Sequence, residues 1–158
     1  MKKILLRTAC ATVAVVLFVM AAMAVAKQKG GQAAETVYVP AYSSIFHGDR
    51  EREFDLAVTL SVRNTDTVKA ITVHRVYYHN GAGKLVHAYL AGDRTVGPLA
   101  TVQFVVKESD ERGGSGACFV VKWRGDAGVS RPLVEAVMIG TGGQQGVSFT
   151  SRGITIPQ

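Results

Sequence analysis

The ten residues from Phe54 to Arg63, which read FDLAVTLSVR, restrict the fold more than any other stretch of the sequence. Five large apolar residues occupy every second position, and smaller or polar residues occupy the other five. A helix would spread these apolar side chains around its axis, whereas a strand places all five on one face. The stretch therefore predicts a β-strand with one face buried in a core.

Similar alternation recurs along the chain, and no stretch after residue 26 has the period of an amphipathic helix. We predict about eight short strands, at 36–40, 54–63, 71–78, 85–90, 101–107, 117–123, 133–139 and 147–156. Short strands separated by turn residues at such spacings are typical of sandwiches and barrels. The expected fold is all-β, an antiparallel two-sheet sandwich of the immunoglobulin-like kind, and a small closed barrel is the alternative.

Four local irregularities are also expected. Pro40 cannot donate to a ladder, so the first strand is predicted at a sheet edge. The apolar positions change phase near His74 and again near Gly153, which predicts a β-bulge at each place. The Asn80–Gly83 stretch (NGAG) predicts a tight hairpin turn.

The start of the chain has the parts of a secretory signal peptide. Three basic residues, Lys2, Lys3 and Arg7, precede an uncharged run that ends at Ala26 in small residues. We predict that residues 1–26 are removed on export, which leaves a periplasmic or extracellular protein. The alternative is an inner-membrane anchor formed by residues 9–26, which would span about 27 Å as a helix.

The remainder of the chain divides simply. Residues 27–35 (KQKGGQAAE) contain no large apolar side chain and are predicted to be a flexible linker. Residues 36–157 are predicted to be one sandwich domain.

After removal of the leader only Cys118 remains, so no internal disulfide is possible and the core must stabilise the fold. Cys118 lies in a predicted strand and is expected to be a small buried apolar residue.

Charge excludes one class of partner. The mature chain would keep 15 basic and 12 acidic residues, a net charge of about +3, and the basic residues are scattered along the sequence. No Lys/Arg run has the density of a nucleic-acid-binding stripe, so no nucleic acid is expected as a partner.

Four stretches resemble one bacterial family, catalogued as domain of unknown function 3124. They are Tyr38–Asp49 (YVPAYSSIFHGD), Arg63–Asp66 (RNTD), Gly113–Gly116 (GGSG) and Gly140–Gly153 (GTGGQQGVSFTSRG). The resemblance covers nearly all of the mature chain, about Thr36 to Ile156. It implies an exported bacterial protein with one domain and no assigned activity, so it supplies no catalytic residues.

No catalytic or cofactor motif is found. The chain lacks a P-loop, a dinucleotide-binding fingerprint and a nucleophile elbow. His79 and His87 flank the predicted hairpin and could form a loose metal site, but surface histidines near strand ends are common. We therefore predict no catalytic residues, metal ligands or cofactors. The competing hypothesis is a hydrolase or metal-dependent enzyme that uses His47 and Asp49 near the glycine-rich stretch.

Glu135 is the one charge within an otherwise apolar predicted strand. A buried carboxylate without a partner costs several kcal/mol, so an ion pair that fixes strand register is expected. Lys122, Arg124 and Arg152 are the predicted partners.

The glycine-rich stretch is the candidate binding loop. It contains polar side chains of the kind that bind neutral polar or carboxylate-bearing ligands. The candidate residues are Thr141, Gln144, Gln145, Ser151 and Arg152. The sequence thus predicts a non-enzymatic binding module of the cell envelope. Its expected partners are an envelope protein or a small polar ligand, with membrane contact only through an uncleaved N-terminal helix.

Overall fold

The computed structural model describes residues 32–142 and 146–157, and these residues form β-strands and connecting turns. The strands are β1 (Ala33–Pro40), β2 (Ser44–His47), β3 (Arg52–Asp55), β4 (Ala57–Arg63), β5 (Ile71–His79), β6 (Leu85–Ala88), β7 (Arg94–Val96), β8 (Thr101–Val106), β9 (Cys118–Gly125), β10 (Leu133–Gly140), β11 (Val147–Arg152) and β12 (Ile154–Ile156). The predicted leader, residues 1–26, lies outside the described residues. Within the described part, no helix has the length and apolar character needed to cross a bilayer.

Two antiparallel sheets are arranged as a sandwich, which confirms the predicted all-β class. The six-stranded sheet has the order β12-β1-β9-β5-β6, with β7 also paired to β5, and the four-stranded sheet has the order β11-β10-β4-β8. Strands β2 and β3 form a separate hairpin. The chain passes repeatedly from one sheet to the other, so neighbouring strands within a sheet are mostly distant in sequence.

The core lies between the sheets and follows the alternation read from the sequence. In β4, Val58, Leu60 and Val62 are fully buried. The opposite sheet contributes the inward side chains of β9, among them Phe119 and Trp123. Because side chains alternate along a strand, the sequence neighbours of each inward residue lie on the outer face. Burial does not restrict those outward positions to apolar residues.

The predicted bulge near His74 is confirmed. The pairing of β5 with β9 shifts register between Val73 and Arg75, so one extra residue is accommodated there. Ile71 and Val73 before the shift and Val76 after it are all buried. Without the extra residue, the second half of β5 would turn its apolar side chains away from the core.

The expected bulge at Gly153 is instead a change of sheet. Residues up to Arg152 pair with β10 in the four-stranded sheet, whereas Ile154 onward pairs with β1 in the six-stranded sheet. A Cβ at Gly153 would lie 2.5 Å from Val37 Cγ1. The chain can make this corner only because glycine allows the two backbones to approach closely.

The first strand differs from its prediction in where it begins and in its place in the sheet. It begins at Ala33, within the predicted linker, and it lies between β12 and β9 rather than at an edge. Pro40 is tolerated because pairing with β12 ends at Tyr38, so that side of β1 makes no ladder bond at the proline.

Twelve strands replace the eight expected because several are short or divided. Strands β2, β3 and β7 are only three or four residues long and lack a clear alternating pattern. The predicted strand 54–63 is divided at Leu56, and the last strand is divided at Gly153. The hairpin turn at Asn80 is confirmed, since Asn80 N donates to Lys84 O at 3.0 Å.

Candidate functional site

The glycine-rich stretch is a β-hairpin rather than one continuous loop. Its first residue, Gly140, ends β10, and its second half from Val147 onward is strand β11. A Cβ at Gly140 would lie 2.2 Å from Phe54 Cε1, and one at Gly142 would lie 3.1 Å from Phe54 Cε2. Part of the glycine content is therefore explained by packing, because Phe54 of β3 lies directly against this backbone.

The structure separates the candidate residues that it describes. Thr141 is exposed at the start of the loop, whereas Ser151 lies in β11 and donates a hydrogen bond to Pro40 O. Arg152 pairs with Glu135 in register, about 17 Å along the hairpin from Gly140. Gln144 and Gln145 lie outside the described residues. A binding role for this set stays a prediction, and Arg152 is too far from Thr141 to share a small ligand with it.

The outer surface of the four-stranded sheet is almost free of charge at the end nearest this loop. We call it the neutral face, and it consists of the outward residues Ala57, Thr59, Val105, Val137, Ile139, Ser148 and Thr150. Val137, Thr59 and Val105 form one cross-strand row, and Ile139 begins the next. Val105 is 55% exposed and Ile139 47% exposed. The result is a surface of apolar and hydroxyl side chains next to Thr141.

An ion pair closes the far end of the neutral face. Arg63 Nε lies 3.1 Å from Glu135 Oε1, and the Glu135 side chain is 18% exposed. The expected pairing of Glu135 is therefore confirmed, but the expected partners were wrong. Lys122 and Arg124 belong to the other sheet, and Arg152 forms no ion pair with a described residue, whereas Arg63 lies beside Glu135 across β4 and β10.

The Arg63–Asp66 segment, one of the family-like stretches, holds one end of the sandwich together. The Asn64 side-chain amide donates to the carbonyls of Lys69, Val96 and Gly97 at 2.8–3.1 Å. Because buried polar groups need partners, this one side chain satisfies three loop carbonyls at once. Its role is structural.

Asp66 adds a second set of bonds at the same end. Its carboxylate accepts hydrogen bonds from the backbone N–H groups of Val68, Lys69 and Ser130 at 2.8–2.9 Å. These bonds favour the charged form and lower the pKa of Asp66 to about 2, with the Lys69 bond as the largest cause. The carboxylate thereby ties the β4–β5 connection to the β9–β10 connection.

The histidines do not come together. His87 pairs in register with Tyr78, whose side chain is buried, whereas His79 pairs with Leu85, so the two imidazoles occupy opposite faces of the hairpin. Among the described residues, no group of three or more His, Cys, Asp and Glu side chains is placed to hold a metal ion. The loose metal site considered for His79 and His87 is not formed.

Cys118 is buried, as expected for a small apolar residue. Burial raises the pKa of its thiol, which keeps the thiol protonated and unreactive at neutral pH.

Sequence reasoning missed a basic cluster on the outer face of the six-stranded sheet, formed by Arg75, Lys122 and Arg124. Lys122 and Arg124 alternate with the buried Val121 and Trp123, so their outward direction was readable from the sequence. The proximity of Arg75 was not, because it depends on the pairing of β5 with β9.

Comparison with known proteins places the chain in a family. The family model described as "Protein of unknown function (DUF3124)" matches residues 34–156. No curated protein matches the chain. A solved structure named "Crystal Structure of Thermotoga maritima 1070" covers 77% of this chain and 94% of its own, with 11% sequence identity and a TM-score of 0.46, a likeness too weak to indicate function. Because the family model spans well over half of the chain, the protein belongs to the family of unknown function DUF3124.

Proposed function

We propose that this protein is an exported, non-enzymatic binding module of the bacterial cell envelope. Its contact surface would be the neutral face together with the adjoining loop that begins at Thr141. The observation that carries the proposal is the row of outward apolar residues on the four-stranded sheet, with Val105 and Ile139 about half exposed. Exposed apolar patches on a sheet are typical of protein contact surfaces.

The composition of the neutral face favours a protein partner over a small ligand. Interface centres are depleted of charged residues, and this surface has its one ion pair, Arg63–Glu135, at the end away from the loop. The residues of the predicted binding loop would then extend the contact surface beyond the strands.

Export is supported by the leader sequence in residues 1–26. Mass spectrometry of the chain from the producing bacterium should give a mature N-terminus after Ala24 or Ala26, the two small-residue exits. Recovery of the intact chain from the cytoplasm would contradict export. Recovery of the intact chain in the inner membrane would favour the anchor formed by residues 9–26.

The binding proposal is tested by crosslinking from the neutral face. A photoreactive residue at Thr59 should give a discrete protein adduct in living cells, and the paired substitutions Val105→Lys and Ile139→Lys should abolish it. The matched control places the same change on exposed apolar residues elsewhere, Leu85→Lys with Val68→Lys, and should leave the adduct intact. An adduct unaffected by lysines on the neutral face, or no adduct from a folded protein, would refute the proposal.

The loop is tested separately from the sheet. Substitution of Gln144, Gln145 and Arg152 by alanine should weaken the same adduct if the loop belongs to the contact surface. If only the melting temperature changes, the loop is structural and the contact is confined to the strands.

The alternative of a hydrolase or metal-dependent enzyme depends on the β2–β3 hairpin. His47, Asp49, Arg50 and Arg52 line an open cavity of about 280 Å³ there. The His47 ring is edge-on to Phe54 at 6.1 Å, so the cavity is close to the glycine-rich backbone. Hydrolytic turnover that is lost in His47→Ala, with unchanged folding, would favour this alternative over the binding module.

The finer assignment of the fold as immunoglobulin-like is also a proposal. In immunoglobulin domains the second and fifth strands share one sheet and the third and sixth share the other. The pairs β4–β8 and β5–β9 fit that arrangement. The first and last long strands, β1 and β10, are exchanged between the sheets, so the likeness extends to the four central strands.

A further inference from the structure

We propose that the basic cluster formed by Arg75, Lys122 and Arg124 binds a phosphate group on the outer face of the six-stranded sheet. This site is distinct from the neutral face, which lies on the opposite side of the sandwich. The cluster lines a concave surface of about 550 Å³, whose walls also include the carboxylates of Asp93 and Glu35, and Glu35 is paired with Arg131 Nε at 2.7 Å. That volume is within the usual range for a small-ligand site.

The β-bulge in β5 creates the cluster. With the extra residue at His74, Arg75 pairs directly with Lys122 of β9, on the outward face of both strands. Directly opposed like charges on adjacent strands are destabilising. Bulges are common next to functional sites, where they redirect a side chain. A sheet that needed the bulge only to keep its apolar face inward would gain stability from a neutral or acidic residue at either position.

Two of the three cations form no ion pair with a described carboxylate. Neither Arg75 nor Lys122 forms an ion pair with any described residue. The carboxylate of Asp93 is bound by His74 Nδ1 at 2.8 Å and lies 3.5 Å from Arg124 Nη2. Asp93 therefore orients Arg124 and is also close enough to interact with the charge of Arg75, whose Nη1 donates a hydrogen bond to His74 O at 2.7 Å.

The number of unpaired charges indicates the ligand class. A single carboxylate would neutralise one of the two unpaired cations, whereas a phosphate group carries a charge of about −1.5 to −2 and can neutralise both. Arginine suits this role because its planar guanidinium donates two parallel hydrogen bonds to phosphate oxygens. This charge requires a phosphate monoester, which could belong to a soluble compound or to the headgroup of phosphatidic acid, since a phosphodiester carries only one negative charge.

Two probes distinguish these sources. Titration of the full-length chain with inorganic phosphate, followed by calorimetry, tests for a soluble ligand. Co-sedimentation with vesicles that contain phosphatidic acid, compared with phosphatidylcholine vesicles, tests for a lipid phosphate monoester. We expect at least one probe to bind, and we expect the paired substitutions Arg75→Gln and Lys122→Gln to weaken that binding at least about tenfold.

A matched control removes two exposed cations elsewhere. Arg50→Gln with Lys107→Gln changes the net charge equally but should leave affinity within about twofold, since both residues lie outside the concave surface. Circular dichroism of both variants shows whether they fold. Binding of neither probe, or equal losses in the two variants, would overturn the proposal, because equal losses reflect net charge alone.

Discussion

The two outer faces of this sandwich are built by the same alternation of side chains and yet differ in chemistry. Near the loop the four-stranded sheet exposes apolar and hydroxyl residues, and its charged residues Arg63, Glu135 and Arg152 lie at the end away from the loop. The six-stranded sheet exposes Arg75 and Lys122 side by side with no carboxylate bound to either among the described residues. One face is suited to a protein surface and the other to an anion.

The difference shows which positions the fold constrains. Inward positions must be apolar in both sheets because they share one core, and Leu60 and Trp123 are almost completely buried. Outward positions face no such requirement, so their residues carry information about function rather than about folding. Like charges that oppose each other on an outer face lower stability. They therefore indicate a function more strongly than an ordinary exposed charge does.

The largest expected loss of stability comes from a substitution at Gly153, where the chain passes from one sheet to the other. Gly153→Ala would place a Cβ 2.5 Å from Val37 Cγ1 and 2.9 Å from Val39 Cγ2. We expect the free energy of unfolding to fall by about 2 kcal/mol and the melting temperature by roughly 4–10 °C, because a packed corner tolerates overpacking poorly. Differential scanning calorimetry measures both quantities.

The control for this substitution is Gly146→Ala, in the same hairpin. Among the described residues, a Cβ there would contact only Gly140 O, at 3.8 Å, so stability should change by less than about 0.5 kcal/mol. Equal melting temperatures for the two variants would mean that the corner is not tightly packed.

Effects of intermediate size are expected from one substitution on each outer face. The substitution on the four-stranded sheet should lower the free energy of unfolding, and the one on the six-stranded sheet should not. Glu135→Ala removes the ion pair on the four-stranded sheet, and the free energy of unfolding should fall by about 1 kcal/mol. Lys122→Ala relieves the repulsion with Arg75, and the free energy of unfolding should stay the same or rise by about 0.2–1 kcal/mol. Urea denaturation in phosphate-free buffer measures both changes. A loss of stability in Lys122→Ala as large as that in Glu135→Ala would remove the contrast between the faces.

The smallest expected effect is a change in how steeply the free energy of unfolding depends on pH, and it is confined to acidic solution. The pKa of Asp66 is about 2 in the folded chain, below its ordinary value of 3.8. A lowered carboxyl pKa contributes stability that is present above pH 3.8 and is lost as the pH falls through that value toward about 2. The stability of Asp66→Asn should therefore fall less steeply over this range than that of the wild type. Urea midpoints between pH 5 and pH 2 measure the difference, and parallel profiles would contradict it.

Local patterns in the sequence were sufficient for most of the strands and for the bulge at His74. They failed where the structure depends on a distant partner. The sequence around Gly153 predicted a bulge, because a change of phase is the same signal whether the strand stays in its sheet or leaves it. The partner of Glu135 was wrong for the same reason, since the neighbour of β10 is β4, some 70 residues earlier in the chain.

The candidate site was predicted only in part. The sequence indicated that residues 140–153 are unusual, but it did not show that Phe54 packs against Gly140 and Gly142. It also treated the basic residues as scattered, which is true along the chain and false across β5 and β9. Residues 75 and 122 become neighbours only through strand pairing.

By itself, the amino-acid sequence determined the alternation of apolar residues, and hence that this chain folds as an all-β domain with one buried side to most strands. Hydrophobic burial acts on each strand separately, so its pattern is local and can be read directly. Only the tertiary structure decided which strands are neighbours, where the chain changes sheet at Gly153, and that Arg75 lies opposite Lys122. Those features depend on contacts between residues far apart in the chain, and no local pattern contains them.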